Sequence, residues 1–566
     1  MRNLSVRSSQ PSWLLSALLI VITVLSLTPS LRLMLSAFAQ FGVGEQSPFL
    51  QVMSAASTWR ALGHSLYTAI LGALLSLFLG AIFAYSVTLT NIRCKQWLVF
   101  CFMLPMMIPP QITALSWLQL MGPASPLLNT LGIAPPMGSP QPLYSAEGII
   151  LLLGIQSAPL VFLAMRTSLI NLPADLIEAA RVSGASSRRV WRDIVIPLSR
   201  GGMIAGVFMA FVSNLGNFGI PAMLGIPSSY YVLPTLIYQR MAGFGNSVLQ
   251  EVASLSILIG VMALLGVALQ QRMQKGSRYA LTGHSGKAHD LNLHRWRPLL
   301  EAVLATVLFI ILVCPLLALI VSALVPAVGV PLTLNTITLT AFDEMINHQG
   351  STLRAGQNSL MLAGGAALVI MACALPLAYR LKQLPERIQT SVVTVMEIPY
   401  ALPGVVLAIA CILLFARPLP IINVVLYGSL WIIFLAYLAR FLVLGLRPVM
   451  ASLGQVDAAL EEAAQLAGAS TLRRLVDILM PMLAPAVFAG GLLVFLIALN
   501  EITVSALLWS AGNETLGVLI FNLDEGGESV LASAISVLVV LFVALLMALL
   551  NLLAPKLPKG VIPWRT

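Results

Sequence analysis

Long apolar segments recur along the whole chain, and they limit its fold more than any other feature. A transmembrane helix needs roughly 20 apolar residues, and twelve segments approach or exceed that length. The sequence places them near 13–38, 62–89, 97–121, 148–170, 201–224, 250–271, 298–326, 357–380, 389–415, 424–446, 482–508 and 529–553. Because 58% of the residues are hydrophobic and only 9% are charged, polar side chains could not cover a water-soluble protein of this size. We therefore predict an all-α polytopic membrane protein.

Basic residues predict the orientation of these spans. If the N-terminus is cytoplasmic and the spans alternate in direction, only 5 of the 31 Lys and Arg residues face the outside. These are Arg32, Arg60, Arg240, Arg354 and Arg417. Lys and Arg accumulate on the cytoplasmic side of membrane proteins. We therefore expect twelve spans with both termini cytoplasmic, and we attribute the net charge of +10 to this bias and not to nucleic-acid binding.

A polar pattern occurs twice between apolar spans, each time in a segment expected to be cytoplasmic. The first copy, Glu178-Ala-Ala-Arg-Val-Ser-Gly184, precedes Pro197. The second copy, Glu462-Ala-Ala-Gln-Leu-Ala-Gly468, precedes Pro481 at the same spacings. An offset of 284 relates the two copies, and an offset of 294 relates earlier landmarks such as Pro105 and Pro399. A loop that occurs twice predicts two equivalent partners.

The repeat divides the chain into two halves of six spans. We predict a first domain at 1–271, a cytoplasmic linker at 272–297 and a second domain at 298–566. The linker contains five Gly and Ser residues and mixed charge, which is typical of a flexible connection. Because six is an even number, the two halves should share one orientation and be related by an axis along the membrane normal.

Each polar loop has the residues of a short helix followed by a stop. Residues 176–183 can form a helix, and Gly184 can end it because glycine tolerates the left-handed conformation. Ser186 or Ser187 can cap a second helix, and Pro197 is expected to mark the turn into the next span. The small alanines would let a partner approach closely. The alternative is a solvated loop without a partner, or one that lies on lipid headgroups.

Prolines and two carboxylates are the candidate features of a pathway. We expect broken helices and a gate between the halves at the matched prolines and the adjoining glycine, namely Pro105, Pro109, Pro399, Pro403 and Gly404. Glu397 should lie near mid-membrane, and Glu501 lies opposite Asn217 of the first copy. A carboxylate beside the path would suit a cationic or metal substrate, whereas the alternative is a hydrogen-bonded packing carboxylate. We predict no metal site within the chain itself.

The doubled loop resembles the signature of permeases from binding-protein-dependent ABC importers. Two copies in one chain resemble the fused permeases of ferric-iron importers. The ferric-type features are Phe218-Gly-Ile-Pro221 with Leu224-Gly225, Ile398-Pro-Tyr-Ala-Leu-Pro-Gly404, and Asn500-Glu501 with Leu507-Leu508. The resemblance covers essentially the whole chain but says much less about the substrate. It implies the type I ABC importer permease fold, in the inner membrane of a bacterium.

The same resemblance implies partners and a division of labour. Two copies of an ABC ATPase subunit would each grip one loop helix, with Glu178 and Glu462 facing a basic residue. The coupling residues it implies are Glu178, Ala179, Ala180, Gly184, Pro197, Glu462, Ala463, Ala464, Gly468 and Pro481. The second loop departs from the first at Leu472 and Val476, where the first has arginines, so its docking should be less electrostatic.

The substrate would be delivered by a periplasmic or extracellular binding protein. Ferric iron is the leading expectation, with phosphonate (2-aminoethylphosphonate), thiamine and polyamine as alternatives. The chain should bind no cofactor and hydrolyse no ATP. The segment 282–287 lacks the first Gly and the final Ser or Thr of a phosphate loop, and the sequence contains no complete match elsewhere. ATP and magnesium would be used by the partner. A secondary transporter and a membrane enzyme are the competing classes of function.

Overall fold

The structure is a computed structural model that describes residues 13–38, 47–170, 172, 174–243, 247–275, 292–418 and 423–553. In these ranges the regular elements are helices, which confirms the predicted all-α membrane fold. Ten of the described helices are long and apolar enough to cross a membrane, and two bent pairs bring the number to as many as twelve.

The helices of the first half begin with the first span and end just before the undescribed segment 276–291. They are α1 (Trp13–Phe38), α2 (Pro48–Ser54), α3 (Ala56–Leu89), α4 (Lys95–Met107), α5 (Pro110–Leu120), α6 (Pro126–Leu131), α7 (Ala146–Ile170), α8 (Ala174–Val182), α9 (Ser187–Val190), α10 (Ile196–Leu215), α11 (Gly219–Gly225), α12 (Leu233–Met241) and α13 (Val248–Lys275). A π-helical segment, Trp191–Val195, joins α9 to α10.

The second half repeats this order. Its helices are α14 (Arg297–Leu308), α15 (Cys314–Ala323), α16 (Thr340–Asp343), α17 (Gly350–Lys382), α18 (Glu386–Ala401), α19 (Gly404–Phe415), α20 (Leu430–Leu453), α21 (Ala458–Leu466), α22 (Thr471–Arg473), α23 (Met480–Leu499), α24 (Ser505–Leu508), α25 (Leu516–Glu525) and α26 (Ser529–Leu553). π-Helical segments join α14 to α15 and α22 to α23.

The third span of each half is bent sharply. Helices α4 and α5 meet at 101°, and α18 and α19 meet at 103°. The pair α18–α19 packs against α1 of the other half. Arg380, near the end of α17 just before this pair, donates to the Ser16 hydroxyl (3.1 Å), and Arg32 donates to the carbonyl of Leu413 in α19 (3.4 Å). Ser16 and Arg32 are about 24 Å apart at the helical rise. The pair therefore crosses most of the roughly 30 Å hydrocarbon core as one span.

The pair α4–α5 crosses in the same way beside α14 and α15. The Arg93 amide donates to Glu301 near the start of α14 (2.7 Å), and Ser322 near the end of α15 donates to Gln119 of α5 (2.8 Å). These two contacts are separated by about 30 Å along the helix. With each bent pair counted as one span, the described residues contain twelve candidate spans. The first span of each half packs against the third span of the other, so the halves interlock.

Both polar loops lie on one face of the bundle, which we name the loop face. Arg380 bonds Ser16 at the start of α1, and its neighbour Tyr379 bonds Glu461 of α21. Helix α1 leads away from that face to the short α2, and the 34-residue α3 returns. Near its end, Tyr85 contacts Trp191 of the first loop. The two loops are therefore placed to meet partners on the same side.

Several predicted spans begin or end elsewhere, and three of the differences affect the candidate site. The fifth span of each half stops at Leu215 and at Leu499, earlier than the predicted 224 and 508. Side chains just beyond each helix end bond backbone amides and so compete with helical hydrogen bonds. The predicted span 424–446 is Leu430–Leu453, which moves Arg440 from the inner end of its span to the middle.

The predicted domain boundaries stay a prediction. Helix α13 continues to Lys275, past the predicted boundary at 271, and a short 3₁₀ turn, His294–Trp296, leads into α14. Most of the predicted linker, 276–291, and both predicted cytoplasmic termini, 1–12 and 554–566, lie outside the described residues.

Candidate functional site

The two loop helices, α8 and α21, end in the same hydrogen-bonded motif. Gly184 and Gly468 both have a φ of 81°. In the first loop the amide of Ala185 bonds the carbonyl of Ala180, and that of Gly184 bonds the carbonyl of Arg181 (both 2.9 Å). The equivalent bonds in the second loop are 3.0 Å long. This is the Schellman ending, which confirms the predicted helix stop and explains the spacing from alanine to glycine.

The glycine is required by backbone conformation alone. A Cβ atom built on Gly184 or Gly468 meets nothing within 4 Å. An L-residue with a side chain would still be strained there, because the left-handed conformation brings Cβ close to the following carbonyl oxygen.

The helix after each stop starts at a serine cap. The Ser186 hydroxyl accepts from the amide of Arg189 (3.4 Å), and the Ser470 hydroxyl accepts from the amide of Arg473 (3.3 Å). The chain then continues as one long helix to Leu215. The expectation that Pro197 marks a turn is therefore wrong.

A wider helical turn accommodates each proline. The π-helical segments Trp191–Val195 and Arg474–Leu479 end two residues before Pro197 and Pro481. Proline lacks an amide hydrogen and its ring clashes with the carbonyl four residues earlier. A π-helical turn relieves that clash without breaking the helix.

Each loop helix exposes apolar side chains at matching positions. Val182 is 89% exposed, and its counterpart Leu466 is 87% exposed. Leu176 and its counterpart Leu460, six residues earlier, are exposed as well. We name these four residues the exposed stripe. The exposed stripe was not predicted from the sequence, although apolar residues at matched positions in the two polar loops could have indicated it.

The second loop is tied to its bundle by an ionic network at positions that are apolar in the first loop. Glu461 accepts from the Tyr379 hydroxyl (2.5 Å) and pairs with the buried Arg474 (3.3 Å). The corresponding residues of the first loop are Ile177 and Val190, both buried. On the exposed surface the charge difference is reversed. Leu472 and Val476 of the second loop are exposed at positions where the first loop has arginines.

The predicted helix breaks are present at both proline pairs. Helix α4 ends at Met107 and α18 at Ala401, and Pro109 and Pro403 precede the helices that follow. Pro105 and Pro399 lie inside the helices before the breaks. This confirms a paired break in the third span of each half.

Side chains from the fourth spans satisfy the carbonyls at the breaks. In the first half, Gln156 donates to the carbonyls of Pro105 (2.8 Å) and Ile108 (3.0 Å). In the second half, Arg440 at the matching position donates to the carbonyl of Leu402 (3.3 Å). Without such partners, these carbonyls would be unsatisfied in the membrane interior.

The break of each half touches the end of the fifth span of the other half. Asn500 donates to the carbonyl of Met107 (2.7 Å). At the matching position, a Cβ on Gly216 would lie 3.1 Å from the Cβ of Pro403. The two breaks and the two span ends therefore meet between the halves, where a gate was predicted.

The two predicted carboxylates are each paired with an arginine of α20. Arg447 donates twice to Glu397 (2.6 and 3.1 Å). Glu501 lies 3.4 Å from Arg440 and also accepts from the amide of Val504 (3.0 Å). Asn217, opposite Glu501, accepts from the amide of Ile220 in the same way (3.1 Å). Both carboxylates thus lie in ion pairs that sequence analysis did not anticipate.

A family described as binding-protein-dependent transport system inner membrane component matches residues 76–276 and 370–561. The chain belongs to this family. The permease is therefore a multi-pass, non-enzymatic transport subunit of an ABC importer. The family's dependence on a binding protein implies that an ATPase and a substrate-binding protein complete the importer.

Known relatives of the permease differ in their named substrates. The ferric transport system permease protein FbpB of Actinobacillus pleuropneumoniae is 24% identical over 94% of this chain and 77% of its own. The probable ABC transporter permease protein y4fN of Sinorhizobium fredii is 26% identical, covering 71% of this chain and 70% of its own. The molybdenum transport system permease protein ModB of Escherichia coli is 29% identical over 39% of this chain and 95% of its own.

Proposed function

We propose that α8 and α21 each dock one ATPase subunit and transmit its ATP-driven motion to the bundle. The observation that supports this most is the repetition of one surface on the loop face: the same helix ending and the same exposed stripe. Exposed apolar groups at matched positions are typical of a binding surface. A partner present in two copies could recognise both.

The docking would combine apolar contact with charge. Glu178 and Glu462 would face a basic residue of the ATPase, beside the small residues Ala179 and Ala463. The loop face would then be cytoplasmic, in the inner membrane of a bacterium, with both termini on that side. ATP and magnesium would be bound by the ATPase, and this chain would bind no cofactor. The binding protein would dock on the opposite face.

The translocation path would run between the halves, where the two breaks meet the two fifth spans. It would pass Pro105, Pro109, Pro399, Pro403 and Gly404, with Asn217 and Glu501 beside them. Drawing the two ATPase subunits together would move both loop helices at once, and rocking of the halves would open the path toward the binding protein.

For the substrate we propose ferric iron. The FbpB relative aligns over 94% of this chain, and the stretches that resemble ferric permeases lie at the breaks and span ends. A second candidate is an oxyanion such as molybdate, which is favoured by the ModB relative and by the pairing of both carboxylates with arginines.

The docking proposal can be tested by placing a charge in the exposed stripe. We expect Val182→Asp and Leu466→Asp each to lower co-purification of the ATPase by about tenfold or more, since a carboxylate would be buried in an apolar contact. Leu334→Asp is the matched control, because Leu334 is equally exposed but lies outside the loop helices. Full retention of the ATPase by both stripe variants would overturn the docking surface.

A further inference from the structure

The two candidate pathway carboxylates both belong to the second half, and each forms a neutral pair with an arginine. Glu397 pairs with Arg447 and Glu501 with Arg440. The matching positions of the first half carry only uncharged residues, namely Met103, Leu163, Asn217 and Gln156. These two pairs therefore supply no net negative charge that could offset a multiply charged cation.

A bare metal cation would be poorly accommodated there. A charge away from water needs an opposite charge or several oxygen ligands. Each of the two carboxylates already neutralises a guanidinium, so a cation would have to displace an arginine first. The displaced arginine would then be an unpaired charge in the same low-dielectric region, which is also unfavourable.

The two arginines form a ladder along one side of α20. Arg440 and Arg447 are seven residues apart, which is two helical turns or about 10 Å. Arg447 is 66% exposed and lies toward the loop face, whereas Arg440 is largely buried at the level of the break. Because a charge facing lipid is costly, we expect an ion pair this exposed within a membrane span to face water.

Both arginines can receive an anion without leaving their carboxylates unsatisfied. Glu501 also accepts from the amide of Val504 and from the hydroxyl of Thr503. Its contact with Arg440 is long, and the buried Nε of Arg440 has no hydrogen-bond partner. A guanidinium has five N–H donors, so Arg440 keeps donors for an oxygen-bearing ligand. Glu397, which is partly exposed, can be hydrated when Arg447 turns away.

We propose that the permease passes its substrate as an oxygen-rich anion that contacts Arg447 and Arg440 in succession. Two sources have this chemistry: a free oxyanion, or a ferric ion enclosed in an anionic complex. The proposal rests on the proposed importer function and specifies its substrate class. The carboxylates then serve to hold the arginines in place while the path is empty.

The test compares the loss of the positive charge with the loss of the negative charge in one ion pair, Glu397–Arg447. The permease, its ATPase and its binding protein are reconstituted in vesicles, and ATP-driven uptake of labelled molybdate, 2-aminoethylphosphonate and ferric citrate is measured. For whichever probe the unmodified importer takes up, we expect Arg447→Gln to reduce uptake about tenfold or more relative to Glu397→Gln, since a hydrogen bond to a charged group is lost. Which probe is taken up distinguishes the free oxyanion from the ferric complex.

Controls separate folding from permeation. Leu163→Gln places the same side chain at the matching position of the first half and should leave uptake unchanged. Co-purification of the ATPase and an unaltered elution volume show that each variant is folded. Greater loss in Glu397→Gln than in Arg447→Gln, or equal effects of the two, would overturn the anion proposal. Absence of ATP-driven uptake of all three probes by the unmodified importer, with no ATPase bound, would instead overturn the proposed function.

Discussion

At the scale of single residues, the loops depend on one backbone conformation. Gly184 and Gly468 share the φ of 81° that ends the loop helix, and open space surrounds both. The glycine is therefore needed for the backbone conformation that sets the direction of the next helix, and not to leave space for a neighbouring residue. Any residue that enters the left-handed region easily should serve in part, and a β-branched residue should not.

This argument predicts a graded series at Gly468. Asparagine tolerates the left-handed region better than other residues with a side chain, so Gly468→Asn should behave almost like the native loop. Gly468→Val should cost about 1–2 kcal/mol or more in the native conformation. We expect ATPase co-purification to fall in the order Gly, Asn, Val, with the elution volume of the membrane domain unchanged. Equal retention by all three would contradict a role for this conformation in docking.

At the scale of elements, the two loop helices expose similar surfaces but differ in the contacts that hold them to the bundle. Helix α21 is held through Glu461 by Tyr379 and the buried Arg474. In the first loop, the buried Ile177 of α8 and Val190 of α9 take the place of that ion pair. Motion of an ATPase should therefore reach the bundle through an ionic contact on one side and through apolar packing on the other.

The ionic contact gives a prediction with a built-in control. Removing one partner of a buried ion pair leaves an uncompensated charge, which costs about 3–5 kcal/mol. We expect Glu461→Ile alone to lower the melting temperature of the purified permease clearly. The double variant Glu461→Ile with Arg474→Val copies the residues of the first loop and should recover most of the loss. A double variant less stable than the single one would show that the two loops pack differently.

At the scale of the whole molecule, the two halves share one orientation. Both loops reach the same face of the bundle, which agrees with each bent pair crossing as a single span beside α1 or beside α14–α15. If each bent pair had instead entered and left on one side, each half would have five spans and the two loops would lie on opposite faces.

Side-specific labelling tests this arrangement. In a variant without the five native cysteines, a single cysteine at Val182 or at Leu472 should react with a membrane-impermeant maleimide only after the cells are opened. A cysteine at Leu334, beyond α15, should react in intact cells once the outer membrane is permeable. Reaction of Val182→Cys and Leu472→Cys from opposite sides would refute the parallel halves.

The sequence could predict features that depend on local chemistry. Long apolar runs identified the spans, matched prolines identified the breaks, and Gly184 and Gly468 identified the helix ends. Each of these follows from the backbone preference or hydropathy of a few neighbouring residues.

Features that depend on distant residues could not be predicted in the same way. Because apolar residues continue past Leu215, hydropathy alone cannot show that the helix ends there. It also cannot show that the Asn217 side chain accepts a hydrogen bond at the start of the next helix. The predicted span 424–446 placed Arg440 near the cytoplasmic end of the helix. Its pairing with Glu501 joins positions 61 residues apart. Such pairs are fixed by the packing of the spans, which a single sequence read without an alignment does not reveal.

The interlocked first spans have a consequence for the order in which the protein is made. Helix α1 is synthesised long before its neighbour α18–α19, and it can remain in the bilayer until that pair has been made. The pair α4–α5, by contrast, lacks its neighbour until Ser322 has been synthesised. Between Gln119 and Ser322 lie roughly 200 residues, which take on the order of 10 to 40 s to translate. During that interval the polar groups at the first break must be shielded by Gln156 of the same half, so the first half needs that amide before the second half exists.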